Sequence, residues 1–174
     1  MRPIVERLGA LDHAWLARLS ARLAPGWMDR SFRLVTYAGG ATLTTSLPIV
    51  LLPWQLSRRF GVTLLLANAA SHACVQLLKR TVVRQRPHLS PGCPLALPVI
   101  PPDAFSFPSG HAAAAMALAI PCLVVGGAAG LPALLLAFWV GASRVYLRVH
   151  YPSDVFAGQV IGAAGGVLAI SIMH

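Results

Sequence analysis

Apolar positions along the chain gather into five long runs separated by short polar breaks, at about residues 34–54, 61–79, 109–126, 130–147 and 153–173. Each run approaches the roughly 20 residues an α-helix needs to cross a bilayer. In the second run Asn68, Ser71, His72 and Gln76 make one side polar, so this helix is expected to face other helices. Pro48 is expected to kink the first run, a tolerable event where neighbours re-satisfy the backbone. Gly and Ala crowd the last three runs, which permits close helix packing. Ahead of them, Leu8, Leu11, Trp15, Leu16, Leu19 and Leu23 recur near helical spacing among six arginines and three acids. That pattern suits an amphipathic helix in the headgroup region, or one that docks on a partner, ended by Pro25-Gly26. The expected fold is all-α: an integral membrane bundle of about five transmembrane helices plus an N-terminal amphipathic interfacial helix. The expected division is an interfacial segment, 1–33, and a membrane-embedded domain, 34–174.

Composition sharpens this. The 174 residues are 56% hydrophobic and 11% charged, against about 25% charged in soluble domains. The net charge of +9 would point to nucleic acid in a soluble protein. Here the basic residues sit at the ends of apolar runs with few aromatics between them, so they read as membrane-surface or phosphate contacts. Arg58, Arg59, Arg80 and Arg148 read as interfacial anchors, and Trp15, Trp27, Trp54 and Trp139 as interface markers. Cys74 and Cys122 lie in apolar runs, and Cys93 lies in a loop without an obvious partner; no disulfide or zinc framework is expected. The N-terminal stretch is too interrupted by charge for a secretory signal. His13, His72, His88 and His174 read as polar surface residues.

The remaining polar residues converge once crossings are counted. A long Pro-rich basic loop, about 80–108, joins runs two and three, so Lys79, Arg86, Ser109 and His111 share a membrane face. Run four returns to that face at Arg144, and run five leaves it from His150 and Asp154. Three cations suit a highly charged oxyanion, and guanidinium matches phosphate oxygens in bidentate geometry. Ser109 adds a hydroxyl donor. Gly110 lets backbone approach a ligand, and "SGH" opens a helix whose free N–H groups favour an anion. Asp154, four residues past His150, is placed to reach one imidazole nitrogen and fix the tautomer, freeing the other to attack phosphorus. His111 then suits the general acid. A zinc site from His111, His150 and Asp154 is a further option, opposed by the three nearby cations.

These residues lie in three motifs: "KRTVVRQRP" (Lys79 to Pro87), "PSGH" (Pro108 to His111) and "SRVYLRVHYPSD" (Ser143 to Asp154). Together they resemble the three-part signature of the type 2 phosphatidic acid phosphatase superfamily, matched at every specified position across about residues 60–160. The resemblance implies metal-independent hydrolysis of a phosphate ester or diphosphate, with no cofactor. It implies phosphate binding by Lys79, Arg86, Ser109, Gly110 and Arg144, with His111 as general acid, His150 as nucleophile and Asp154 as its partner. The implied substrates are lipid phosphates: phosphatidate, phosphatidylglycerophosphate, polyprenyl phosphates or lipid A phosphates. Other readings are a vanadium haloperoxidase-like oxidoreductase, which shares this anion site, and a non-catalytic lipid-phosphate-binding membrane protein. A site at one face of the cell membrane is expected. Family members that recycle polyprenyl diphosphate place it outside the cytoplasm, whereas positive charge gathers on the motif-bearing face. Nucleic acid is not an expected partner, and the sequence carries no sign of oligomeric state.

Overall fold

The structure is a computed structural model that describes residues 9–16, 18, 26–87 and 105–173. Leu8, Leu19 and Leu23 of the amphipathic pattern, His88, Cys93 and most of the long loop, and His174 lie outside the described residues. The described chain is helical: α1 (residues 9–16), α2 (Trp27–Val35), α3 (Ala41–Val50), α4 (Gln55–Thr81), α5 (Gly110–Gly126), α6 (Leu131–Tyr146) and α7 (Pro152–Met173), with 3-10 turns at Thr36–Gly39 and Gly127–Gly130. No β-strand occurs among the described residues; one antiparallel bridge pairs Gln85 with Phe105 and closes the base of the long loop.

Three stretches are long and apolar enough to cross a membrane: Gln55–Thr81, Gly110–Tyr146 and Pro152–Met173. The middle one is a hairpin, not a rod. Gly127 takes φ +57°, a left-handed conformation that glycine enters without steric cost. Beyond the turn, α6 packs back on α5, with Ala137 against Met116 and Ala119. The reversal returns Arg144, near the end of α6, to the level of Gly110, at the start of α5, so both line one cavity.

The first apolar run departs from expectation, because residues 34–54 do not form one helix. α2 ends at Val35, the 3-10 turn follows, Gly40 is extended, and α3 has 10 residues, about 15 Å of helix against a hydrocarbon core of about 30 Å. The break has a steric cause. A Cβ on Gly39 would lie 2.5 Å from Val140 Cγ1 and 2.7 Å from the His111 carbonyl oxygen, so the chain passes where no side chain fits. Thr44 Oγ1 then donates to the Gly40 carbonyl at 3.0 Å and steadies the first turn of α3. α4 starts at Gln55, earlier than its apolar run. Arg58 and Arg59 lie inside it and donate to the carbonyls of Leu52 and Met173, at the end of the bundle far from the cavity.

α5 occupies the centre, packing on α4, α6 and α7. Its buried Ala112, Ala113, Ala117 and Ala119 admit close neighbours, and α7 answers with buried Gly158, Gly162, Gly165 and Gly166. A Cβ on Gly166 would stand 2.8 Å from Ile120 Cβ, and one on Gly165 3.0 Å from the Ala67 carbonyl oxygen of α4. Small residues at such a crossing let backbones meet, which favours association in lipid through van der Waals contact. The close fit also seats the start of α7 against the start of α5: the Ser109 N–H donates to the Asp154 carbonyl at 3.0 Å. Phe32 of α2 stacks on Tyr146 of α6, ring centroids 4.4 Å apart. Trp15, Trp27, Trp54 and Trp139 are all exposed.

Candidate active site

α6 ends in a Schellman cap. The Arg148 N–H donates to the Val145 carbonyl at 3.0 Å and the Val149 N–H to the Arg144 carbonyl at 3.2 Å, the paired bonds of that motif. Arg148 holds the left-handed position at φ +57°, where a side chain costs roughly 1–2 kcal/mol relative to glycine. The cap folds His150 back over the helix end, its N–H also reaching the Arg144 carbonyl at 3.3 Å.

The His150 ring is buried. Its Nδ1 lies 2.6 Å from the Ser106 carbonyl oxygen. A carbonyl only accepts, so Nδ1 carries the proton and Nε2 the lone pair. Asp154 Oδ2 is 3.8 Å from Nδ1, beyond hydrogen-bond reach. The expected tautomer lock is therefore supplied by the Ser106 carbonyl, and Asp154 acts on the ring through its charge. The carboxylate is spent otherwise: Oδ2 accepts the Tyr151 N–H at 2.8 Å, closing the first turn of α7, and Oδ1 accepts from Arg84 Nη1 at 2.7 Å.

Arg84 and Asp12 were missed by the sequence reading. Arg84 bridges Asp154 to Asp12 of α1, donating to Asp12 Oδ2 at 2.7 Å, and lies 4.0 Å over the Tyr151 ring. Burial works against its charge, but the hydrogen bond to Asp12 and the charges of Asp154 and Asp12 hold its pKa above the ordinary value. Asp12 is itself buried and caps α7 from outside, its Oδ1 accepting the Ser153 N–H at 3.1 Å. His13 beside it is exposed, as a surface residue should be, and meets Tyr151 edge to face. Their signals were faint: Arg84 occupies an unspecified position within the first motif, and Asp12 sits on the polar face of an amphipathic pattern.

A cavity of about 400 Å³ opens beside His150. Six of the eight predicted residues line it: Lys79, Arg86, Gly110, His111, Arg144 and His150. The other two, Ser109 and Asp154, are buried behind it. Arg86 is oriented by the Val149 carbonyl, to which Nη1 donates at 2.8 Å, and the same Nη1 meets His150 Nε2 at 3.3 Å. Arg144 Nη1 donates to Thr36 Oγ1 at 2.7 Å. The Ser109 hydroxyl is buried without a hydrogen-bond partner among the described residues, a state that costs about 1–3 kcal/mol until an acceptor arrives. It precedes Gly110, where α5 begins and its first N–H groups have no helical partner. Three cations and the start of a helix thus face the cavity, an arrangement whose chemistry suits an oxyanion. No group of three His, Cys, Asp or Glu residues is close enough to hold a metal ion among the described residues.

A sequence profile describing the PAP2 superfamily matches residues 60–174, a region that holds all eight predicted residues. The chain belongs to the PAP2 superfamily. It is 43% identical over 103 residues to the decaprenylphosphoryl-5-phosphoribose phosphatase of Mycobacterium tuberculosis, an overlap of 59% of this chain and 55% of that protein. The PAP2 chain thus spans about half the length of that relative. The crystal structure of Aquifex aeolicus LpxE is similar at a TM-score of 0.77 and 26% identity, covering 92% of this chain and 95% of that one. A transmembrane PAP2-type phosphatidylglycerolphosphate phosphatase from Bacillus subtilis gives a TM-score of 0.80 at 23% identity, over 95% and 86% of the two chains, a likeness of fold. The apolar helices and this membership identify a membrane protein of PAP2 architecture.

Proposed function

We propose that the chain is a metal-independent lipid phosphate phosphatase of the cell membrane, acting on a phosphate monoester or a polyprenyl diphosphate through a phosphohistidine. The observation that carries this is the His150 tautomer: its Nδ1 proton is held by the Ser106 carbonyl, and its Nε2 lone pair lies beside Arg86 at a cavity lined by Lys79 and Arg144. Those cations, with Ser109 and the backbone at Gly110, hold the phosphoryl oxygens. A phosphate oxygen competes for the long Arg86 contact and releases Nε2. The lone pair attacks phosphorus, the bond from phosphorus to the lipid oxygen breaks, and His111 gives that oxygen its proton. Water then attacks the phosphohistidine, His111 takes a proton from it, and inorganic phosphate leaves with His150 restored. Asp154 stabilises the positive charge that His150 gains, and the cations meet the charge on the transferring oxygens, which is most of what phosphoryl transfer asks of a protein. Residues 1–33 form the interfacial segment and 34–174 the phosphatase domain, with the site on the extracytoplasmic face. The relative named for decaprenylphosphoryl-5-phosphoribose supports a lipid substrate.

The test is phosphate release from lipid phosphates by the purified protein in detergent with EDTA present. His150→Ala should lower the rate by about 10³-fold or more, and acid quenching of the wild type should destroy a phosphoenzyme that alkali preserves. Full activity in the variant would remove the nucleophile.

A further inference from the structure

One wall of the cavity is not used by the reaction described. α4 turns Asn68, His72 and Gln76 toward it at successive i, i+4 positions, with Lys79 at the upper end. At 1.5 Å per residue the row descends about 16 Å from Lys79 to Asn68, inside a stretch apolar enough to cross a membrane. Polar side chains at such depth are costly and mark a function. Asn68 Nδ2 is engaged with the Thr44 carbonyl at 3.3 Å and Thr45 Oγ1 at 3.4 Å, which ties α3 to α4 as the facing wall. Higher up, Gln76 Nε2 lies 3.3 Å from His72 Nε2. An amide N–H donates, so His72 Nε2 accepts and its Nδ1 carries the proton. That leaves an imidazole N–H, a second amide N–H and the Gln76 carbonyl oxygen for a ligand. Donors and an acceptor in alternation, with no formal charge required, complement a hydroxyl group, which does both. An isoprenoid chain offers these groups nothing.

We propose that Gln76 and His72 form a headgroup subsite for a hydroxylated carbon skeleton, a sugar or a glycerol unit, bonded through oxygen to the phosphate held by Lys79, Arg86 and Arg144. The leaving group is then the alcohol of a polar lipid head rather than a prenyl phosphate. The inference rests on the phosphatase reading and narrows its substrate class.

The experiment compares kcat/KM on phosphatidylglycerophosphate, a lipid A phosphate and undecaprenyl diphosphate, for the wild type, His72→Leu and Gln76→Leu. The wild type should favour at least one headgroup phosphate over the diphosphate by about tenfold or more, and each variant should cut that ratio by about tenfold. A ratio is insensitive to the fraction of folded enzyme, so a poorly folding variant still reports. The first two substrates distinguish glycerol from sugar. A wild type that cleaves undecaprenyl diphosphate as well as either headgroup phosphate, or a ratio unchanged in both variants, overturns the subsite alone. No release from any substrate overturns the phosphatase reading and the subsite with it.

Discussion

At the scale of single residues, the decisive property of His150 is that it stays neutral. Burial pushes its imidazole down to about 4 from 6.5; Asp154 pulls the other way, and Arg144 and Arg86 push down again. The sign follows from proton counts. Between pH 6.5 and about 4 the unfolded chain binds a proton at this histidine and the folded chain does not, so stability falls as pH drops through that window and is untouched above it. For the proposed reaction the consequence is the reverse of fragility, because the lone pair that would attack survives well below the usual histidine range. In detergent, the acidic limb of the kcat/KM profile should therefore lie near pH 4. A limb near pH 6.5 that does not track the second ionisation of the substrate phosphate would show a solvated imidazole and contradict the buried site. The motifs named His150 and its neighbours at the cavity and not the groups that hold them. The Ser106 carbonyl is a backbone atom with no side-chain signature, and Asp12 meets Arg84 only because α1 folds back across the site, a contact between positions 72 residues apart.

At the scale of elements, the PAP2 site depends on where backbone passes backbone. The 3-10 turn at Thr36–Gly39 crosses close to His111, and a Cβ on Gly39 would sit 3.1 Å from His111 Cβ as well as against Val140. Gly39→Val must displace that turn or α5. Since a misplacement near 1 Å can cost about 10²-fold, kcat should fall on that order while the helical circular dichroism is kept. An unchanged kcat would mean that the turn moves and His111 does not. This crossing also explains what the hydrophobic pattern could not reveal. Apolar periodicity marks how far a run extends, so α5 to α7 and the end of α4 were legible to within about two residues, while α4 begins six residues before its run. It carries no information on close approach between distant segments, and so residues 34–54 read as one helix although Gly39 and Gly40 break it. The α5–α6 hairpin was legible because Gly126, Gly127 and Gly130 separate its two runs.

At the scale of the whole molecule, charge decides which way the bundle faces. All but Arg58 and Arg59 of the 14 Lys and Arg residues belong to the motif-bearing half of the count, which by the positive-inside rule alone would put the site in the cytoplasm. The rule concerns cations free to be retained by the cytoplasmic side, and the site has withdrawn several. Lys79, Arg86 and Arg144 line the cavity, Arg84 is bound to two aspartates, and Arg33 is paired with Asp29 at 2.8 Å. On the opposite end Arg58 and Arg59 are tied to backbone carbonyls yet remain exposed. Seven of the twelve remain against those two, so the rule still opposes the extracytoplasmic placement proposed for the site, and labelling decides between them. Cells expressing a variant without Cys74, Cys93 and Cys122, and carrying Arg80→Cys, should be labelled by a membrane-impermeant maleimide while intact. The same background with Arg58→Cys should be labelled only after permeabilisation. The reverse pattern would place the cavity in the cytoplasm, and the cations at its rim would then serve both phosphate and orientation.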